Sequence, residues 1–142
     1  MLVRLLYASR SAEALNEPVV ESILQQSRRN NPAKGITGIL CFSGDLFIQV
    51  LEGGRNEVNE LYNTIVRDSR HVHLRLLGFE EIEERRFGGW TMGQVDVRKV
   101  SPALLLKYTA KSELDPFANS GRASMALLDE LIATGAVTSY PL

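Results

Sequence analysis

The sequence predicts an α+β domain in which two helices cover one face of a β-sheet. Apolar runs with strand composition recur between residues 2 and 97, and two amphipathic helical patterns alternate with them. The resulting order is β-α-β-β-α-β-β, and its first six elements follow the split βαβ arrangement of the ferredoxin-like fold. We therefore expect a ferredoxin-like sheet, followed by a helical extension.

The first strand and the first helix are predicted from composition and spacing. The segment "LVRLLYAS", residues 2 to 9, has strand composition. Asn16 is a candidate N-cap, and Pro18 falls in the first turn, where its missing N–H does no harm. Helical spacing predicts a helix to about residue 29, ended by "RNNPAKG", and its apolar positions are Val19, Val20, Ile23 and Leu24.

A hairpin and a second helix follow. The apolar runs "ITGILCF" and "DLFIQVLEG" are separated by Ser43-Gly44, a short glycine-containing turn that predicts a hairpin. The second helix is predicted from the spacing of Val58, Leu61, Tyr62, Ile65 and Val66. "HLRLLGFEEI" is then a fourth strand and "GWTMGQVDV" a fifth.

Beyond Val100 the pattern becomes helical. "SPALLLKY" and "SMALLDELIATG" predict two short helices, the second ended by Gly135. We therefore divide the chain into a domain of residues 1–97 and an extension of residues 98–142. The extension is expected to cover the open face of the sheet, to meet a partner, or both. Its apolar positions permit self-association: Leu104, Leu105, Met125, Leu128 and Leu131.

Composition narrows the function classes. The chain of 142 residues has 16 basic and 17 acidic residues, and this balance gives no basic excess to favour nucleic acid. No apolar stretch reaches the length of a membrane span or a signal peptide, so we expect a cytoplasmic protein with no membrane partner. The single cysteine, Cys41, lies in an apolar run and is predicted to be a small buried hydrophobe.

Catalytic motifs and metal-site patterns are mostly missing. The sequence contains no GxGxxG, GxxxxGK[ST], HExxH or GxSxG. His71 and His73 flank one residue and would point the same way on a regular strand, which suits a metal. Because no third ligand is clustered with them, a structural or surface role is favoured, and we expect no metal site.

Isolated polar residues in apolar surroundings are the remaining functional candidates. Gln49 interrupts a strand whose two faces both look buried, and a buried amide costs about 1–3 kcal/mol unless it is paired. Tyr7 ends the first apolar run, and Asn31 follows the first helix. Taken separately, Tyr7 is explained by core packing with a hydrogen-bonded hydroxyl, and Asn31 by a helix C-cap or turn. One polar ligand with a heteroaromatic edge would explain them together.

Several segments resemble the BLUF family of domains, which sense blue light using FAD. They are "RLLYAS", "NNPAKGITGILCFSGDLFIQVLEG", "IVRDSRH" and "RRFGGWTMG", and they extend from residue 2 to about 97 in the order and spacing of the family. The tail "LLLKY…SMALLDELI" is similar to the C-terminal helical pair of short, stand-alone members. The resemblance implies a flavin ring held between the two helices of the ferredoxin-like domain.

The resemblance also implies residue roles. Tyr7 would donate an electron and a proton to the excited flavin, and Gln49 would hydrogen-bond between Tyr7 and the flavin edge. Trp90 and Met92, two residues apart, would share one face of the last strand and carry the signal output. The residues expected to contact FAD are Tyr7, Ile23, Asn31, Phe47, Gln49, Ile65, Asp68, Arg70 and His71.

The implied function is a non-enzymatic blue-light receptor that controls a separate, unidentified protein and forms a homo-oligomer. Two other classes remain open on the residues alone. One is a flavin-dependent redox enzyme, and the other is a ferredoxin-like interaction module without a chromophore. A cysteinyl-flavin photochemistry is disfavoured, because Cys41 lacks the motif expected around such a residue.

Overall fold

The fold is a five-stranded sheet with helices on both faces. It was obtained as a computed structural model that describes residues 1–12, 17–89, 91–134 and 137. The strands are β1 (Leu2–Ser11), β2 (Thr37–Ser43), β3 (Leu46–Gly54), β4 (His71–Ile82) and β5 (Gly93–Asp96). Their order across the sheet is β4-β1-β3-β2-β5.

The strand directions are those of a ferredoxin-like sheet with one strand added. β1 is antiparallel to β3 and to β4, and β2 is antiparallel to β3 across the predicted hairpin. The hairpin turn contains Gly44 at a φ of +60°, a conformation that glycine adopts without a steric cost. β5 is parallel to β2. The predicted α+β, ferredoxin-like fold is confirmed.

Two helices, α1 (Glu17–Asn30) and α2 (Arg55–Arg67), cover one face of the sheet. Pro18 falls in the first turn of α1 as predicted, whereas Asn16 lies outside the described residues. The core on this face contains alternate residues of β1 and β3 and the predicted apolar positions of both helices except Val66, which is 49% exposed. Its members include Tyr7, Val20, Ile23, Leu24, Leu51 and Val58.

The extension covers the other face of the sheet with α3 (Pro102–Leu106) and α4 (Gly121–Ala133). The N-cap of α4 is Ser120, whose Oγ accepts a hydrogen bond of 3.0 Å from the backbone N–H of Ala123. Leu105, Leu128 and Leu131 are buried against the sheet, so these positions serve the chain's own core. Gly135, the predicted end of α4, lies outside the described residues.

The fifth strand is shorter than predicted. It begins only at Gly93, so the placement of Met92 on the last strand is wrong; Met92 lies buried just before it. Pairing with β2 starts only at Gly93, opposite Ile39, because residues 91 and 92 form a bend. In the loop before this bend the Glu52 carboxylate accepts hydrogen bonds from the backbone N–H groups of Arg86 and Phe87. Trp90 lies outside the described residues.

The two histidines do not form a pair. His71 is buried, whereas His73 is exposed and has a φ of +53°, because the pairing of β4 with β1 is irregular in this region. Within the described ranges no group of three or more potential metal ligands occurs. Cys41 is fully buried in the core beneath the extension, as the prediction of a buried hydrophobe requires. No helix among the described residues is long and apolar enough to cross a membrane.

Candidate functional site

A cleft opens between α1 and α2, above β1 and β3. It encloses about 630 Å³, including space open to solvent at its mouth. Tyr7 and Gln49 border the cleft from the sheet, Ile23 borders it from α1, and Ile65 borders it from α2.

The Gln49 amide is paired at both ends. Tyr7 and Gln49 lie opposite each other on β1 and β3, and the Tyr7 hydroxyl donates a hydrogen bond to Gln49 Oε1. Gln49 Nε2 donates to the sulfur of Met92 at 3.5 Å. Gln49 is 4% exposed, so these contacts offset the cost of burying its amide. A buried chain Tyr7–Gln49–Met92 therefore joins the cleft to the segment before β5.

Tyr7 is held as a neutral phenol. Its side chain is buried, and burial raises the pKa of the phenol well above its usual value. The ring of Tyr62 on α2 lies 5.7 Å from the Tyr7 ring, and the His71 ring lies 6.3 Å away, measured between centroids. The hydroxyl thus keeps its proton at neutral pH and remains a donor to Gln49.

Charged side chains border the mouth of the cleft. Arg70 Nη2 lies 2.6 Å from Asp68 Oδ2 and also donates to Gln26 Oε1 at 2.7 Å, which links α1 to the turn after α2. The hydrogen bonds from Arg70 hold the pKa of the Asp68 carboxyl below its usual value. Because Arg70 remains partly exposed, its guanidinium is also accessible to an anionic group.

His71 connects the cleft to β1. Its Nδ1 lies 2.9 Å from Ser9 Oγ, and its ring centroid lies 5.1 Å from that of Phe47. Burial lowers the pKa of the imidazole, so His71 is neutral at neutral pH. Phe47 is fully buried and does not itself border the cleft.

Asn31 adds a further polar group to the cleft. The residue is 2% exposed and borders the cleft at the end of α1. Its side-chain amide makes no hydrogen bond to any residue in the part of the chain that the structure describes. The amide borders the cleft and is therefore available to the polar edge of a ligand there.

The structure therefore brings together all the residues predicted to contact a cofactor except Phe47, which packs against His71. Several cleft residues were not predicted: Gln26, Ser27, Lys34, Asn30, Leu61 and Thr64. Helical spacing carries the signal for most of them. On α1, Gln26, Ser27 and Asn30 follow Ile23 by three, four and seven residues, and on α2 Leu61 precedes Ile65 by four.

Fold and site together define a class of protein, an α+β domain with a polar-lined cleft between its two sheet-packed helices. The model of the family "BLUF: Sensors of blue-light using FAD" matches residues 2–93. The chain belongs to the BLUF family, as its motifs predicted, and BLUF domains are blue-light sensors that bind a flavin.

Similar proteins include curated relatives and solved structures. The chain is 35% identical to the Escherichia coli (strain K12) blue light- and temperature-regulated antirepressor BluF over 80% of its own length but only 30% of the relative's length. BlsA in its photo-activated state matches over 100% of both chains, with 29% identity and a TM-score of 0.83. Klebsiella pneumoniae BlrP1, in a structure with FMN and cyclic diGMP, matches over 95% of this chain and 35% of that one, with 30% identity and a TM-score of 0.69.

Proposed function

We propose that the protein is a non-enzymatic blue-light receptor that binds FAD non-covalently in the cleft between α1 and α2. The observation that carries the proposal is the buried chain Tyr7–Gln49–Met92 at the base of this cleft. Bound flavin would supply the absorption of blue light and, when excited, an acceptor for one electron. The role of this chain's residues is to hold the ring and to respond to that electron transfer.

The cleft residues suit a flavin by their chemistry. Ile23 and Ile65 border the cleft from the two helices and would contact the apolar faces of the ring. The Asn31 amide, which lacks a partner among the described residues, would bond to the polar carbonyl and imide edge. Asp68, Arg70 and His71 would border the ribityl, phosphate or adenine portion, where the Arg70 charge favours a phosphate.

Tyr7 and Gln49 would form the photochemical pair. Tyr7 would release an electron and its hydroxyl proton towards the cofactor and recover both as the dark state returns, so that the cycle has no net product. The Gln49 amide has an acceptor at one end and donors at the other, and rotation or tautomerisation exchanges them at fixed neighbours. Because Gln49 is buried, a mismatched hydrogen bond at either end of its amide costs free energy. This cost favours the rearranged amide whenever the hydrogen-bonding groups around it change.

Met92 and Trp90 would carry the output. A change in the Gln49 amide alters the donor to the Met92 sulfur, and Met92 directly precedes β5. β5 leads into the extension, which packs on the opposite face of the sheet. We propose that this route changes the binding of a separate protein in the cytoplasm, and that the receptor itself is a homo-oligomer with a sensory domain of residues 1–97.

A cysteinyl adduct does not fit the structure. Cys41 lies in the core under the extension, whereas Tyr7 belongs to the core under α1 and α2. Burial also raises the pKa of the Cys41 thiol, which disfavours a reactive thiolate. The proposed photochemistry therefore uses the Tyr7–Gln49 pair.

The absorbance spectrum of the purified protein tests the proposal. We expect a yellow protein that contains FAD by mass spectrometry of the released cofactor, and whose flavin bands shift reversibly to the red under blue light. Extraction of FMN alone would overturn the choice of FAD but not of a flavin. A colourless protein that takes up neither FAD nor FMN, or a flavoprotein that consumes reduced nicotinamide, would overturn the receptor proposal.

A further inference from the structure

β4 has an unpaired outer edge. It is the terminal strand of the sheet, and no strand in the described ranges pairs with its outer side. At 12 residues it is also the longest strand. A long strand of this kind presents free N–H and C=O groups to another chain. The side chains on β4 indicate which kind of chain would pair with this edge.

Two large apolar side chains are exposed on β4. Leu76 is 54% exposed and Phe79 is 43% exposed. Leu76 pairs with Tyr7 and Phe79 pairs with Leu5, and both of these β1 residues face the core under α1 and α2. Leu76 and Phe79 therefore lie on that same face, and together they form an apolar strip at the edge of the sheet.

Two opposite charges lie on the other face of β4. Arg75 pairs with Ala8, whose side chain faces the core under the extension. It is exposed and makes no ion pair with any residue in the described part of the chain. Glu80 pairs with Arg4 on the same face and stays 59% exposed despite its ion pair with Arg4.

A bulge at Leu77 determines the register in which two β4 strands can pair so that apolar residues face apolar residues and opposite charges face each other. Gly78 is opposite Leu6 and Leu76 is opposite Tyr7, so Leu77 is an extra residue in β4. Antiparallel pairing of two β4 strands about a point between residues 77 and 78 places Leu76 opposite the partner's Phe79 and Arg75 opposite the partner's Glu80. A shift of one residue in either direction places Leu76 opposite a residue of the charged face.

We propose that two copies of this chain pair antiparallel through β4 in this register and form one sheet that continues across both subunits. Two Arg75–Glu80 pairs would form on the extension face, and Leu76 and Phe79 of both copies would pack on the other. The pattern matches itself in both charge and hydrophobicity, which favours a second copy over an unrelated extended peptide. This surface specifies the self-association in the proposed function and is independent of its photochemistry.

Charge complementation between two variants tests the pairing. We measure the dissociation constant by sedimentation velocity on the full, flavin-loaded chain in the dark, across the micromolar range. Arg75→Glu and Glu80→Arg should each raise the dissociation constant at least about tenfold, because each homodimer then places like charges opposite each other. In an equimolar mixture of the two variants both pairs are again opposite in charge, and dimers should re-form with the wild-type affinity.

A matched pair of apolar variants provides the second measurement. Leu76→Glu should prevent dimerisation, whereas Leu106→Glu on α3, where the leucine is equally exposed at 54%, should not. A wild-type chain that is monomeric throughout the range, a dimer that none of these variants weakens, or a mixture no tighter than the single variants would overturn the proposal. The measurement requires no photochemistry, so its failure is distinct from a failure of light sensing.

Discussion

The Tyr7 hydroxyl donates a hydrogen bond to Gln49 Oε1 across two adjacent strands, and the Tyr7 side chain is buried. The two residues are neighbours only because β3 lies next to β1 in the sheet order, although they are 42 positions apart in sequence. The ferredoxin-like topology therefore creates the pair. The α1–α2 cleft then brings a ligand to the same place.

Replacement of either partner tests the photochemical pair. We expect Tyr7→Phe and Gln49→Leu to retain bound flavin, because the Ile23 and Ile65 walls and the Asn31 amide remain. Both variants should lose the normal reversible red shift, since the first lacks the hydroxyl and the second lacks the amide. Absorbance spectra before and after blue light measure this, and Tyr108→Phe, on the extension, is the control. An unchanged red shift in both variants would contradict the assigned roles.

Removal of the Asn31 amide should weaken flavin binding. The amide has no hydrogen-bond partner among the described residues, so its proposed partner is the ligand. Loss of one neutral hydrogen bond, about 0.5–1.5 kcal/mol, predicts a dissociation constant for FAD raised about 2- to 13-fold in Asn31→Ala. Fluorescence titration of the apoprotein measures this, with Asn63→Ala, exposed on α2 outside the cleft, as the control. Equal dissociation constants for FAD in the two variants would show that the Asn31 amide does not contact the flavin.

Much of the fold follows from local pattern, but the partners within the site do not. Periodicity predicted both helices and the order of the elements along the chain, because amphipathic faces must be buried. The start of β5 was mispredicted, because it is determined by the pairing of Gly93 with Ile39 on β2, a strand that is distant in sequence. Phe47 lies on the same strand face as Gln49, but its ring packs against His71 and does not border the cleft. No sequence pattern predicts the contact between Phe47 and His71.

Loss of the Glu52 charge should destabilise the protein. Glu52 is fully buried, accepts hydrogen bonds from two loop N–H groups and pairs with Arg4 Nη2 at 2.7 Å. Breaking a buried ion pair from one side costs about 3–5 kcal/mol, and we expect Glu52→Gln to lower the free energy of unfolding by about that amount. Urea denaturation measures the change. Glu81→Gln, which breaks an exposed pair with Arg55, should cost about 1 kcal/mol or less. A similar, small effect of both variants would contradict the assigned importance of Glu52.

A side chain at residue 121 should disturb the docking of α4 on the sheet. A Cβ atom there would lie 2.3 Å from the Leu77 backbone carbonyl oxygen, so the helix or the strand must move. We expect Gly121→Ala to lower the free energy of unfolding by about 1–3 kcal/mol, the usual cost of overpacking. Gly89→Ala, where a Cβ atom meets nothing within 4 Å, is the control. If urea denaturation shows equal stability for both variants, the close approach of α4 to β4 is not as described.

The buried imidazole of His71 should make stability depend on pH. Burial lowers the folded-state pKa of His71 below the unfolded value of 6.5. At a pH between these two values the imidazole is protonated in the unfolded chain and neutral in the native chain. The free energy of unfolding should therefore fall as the pH is lowered through about 6.5 and towards the folded-state pKa. We expect His71→Asn to flatten this dependence in urea denaturation between pH 7.5 and 5.5, values chosen about one unit either side of 6.5. His73→Asn is the control, because His73 is the only other histidine in the chain and is exposed. An identical pH dependence in wild type and His71→Asn would show that His71 titrates alike in both states.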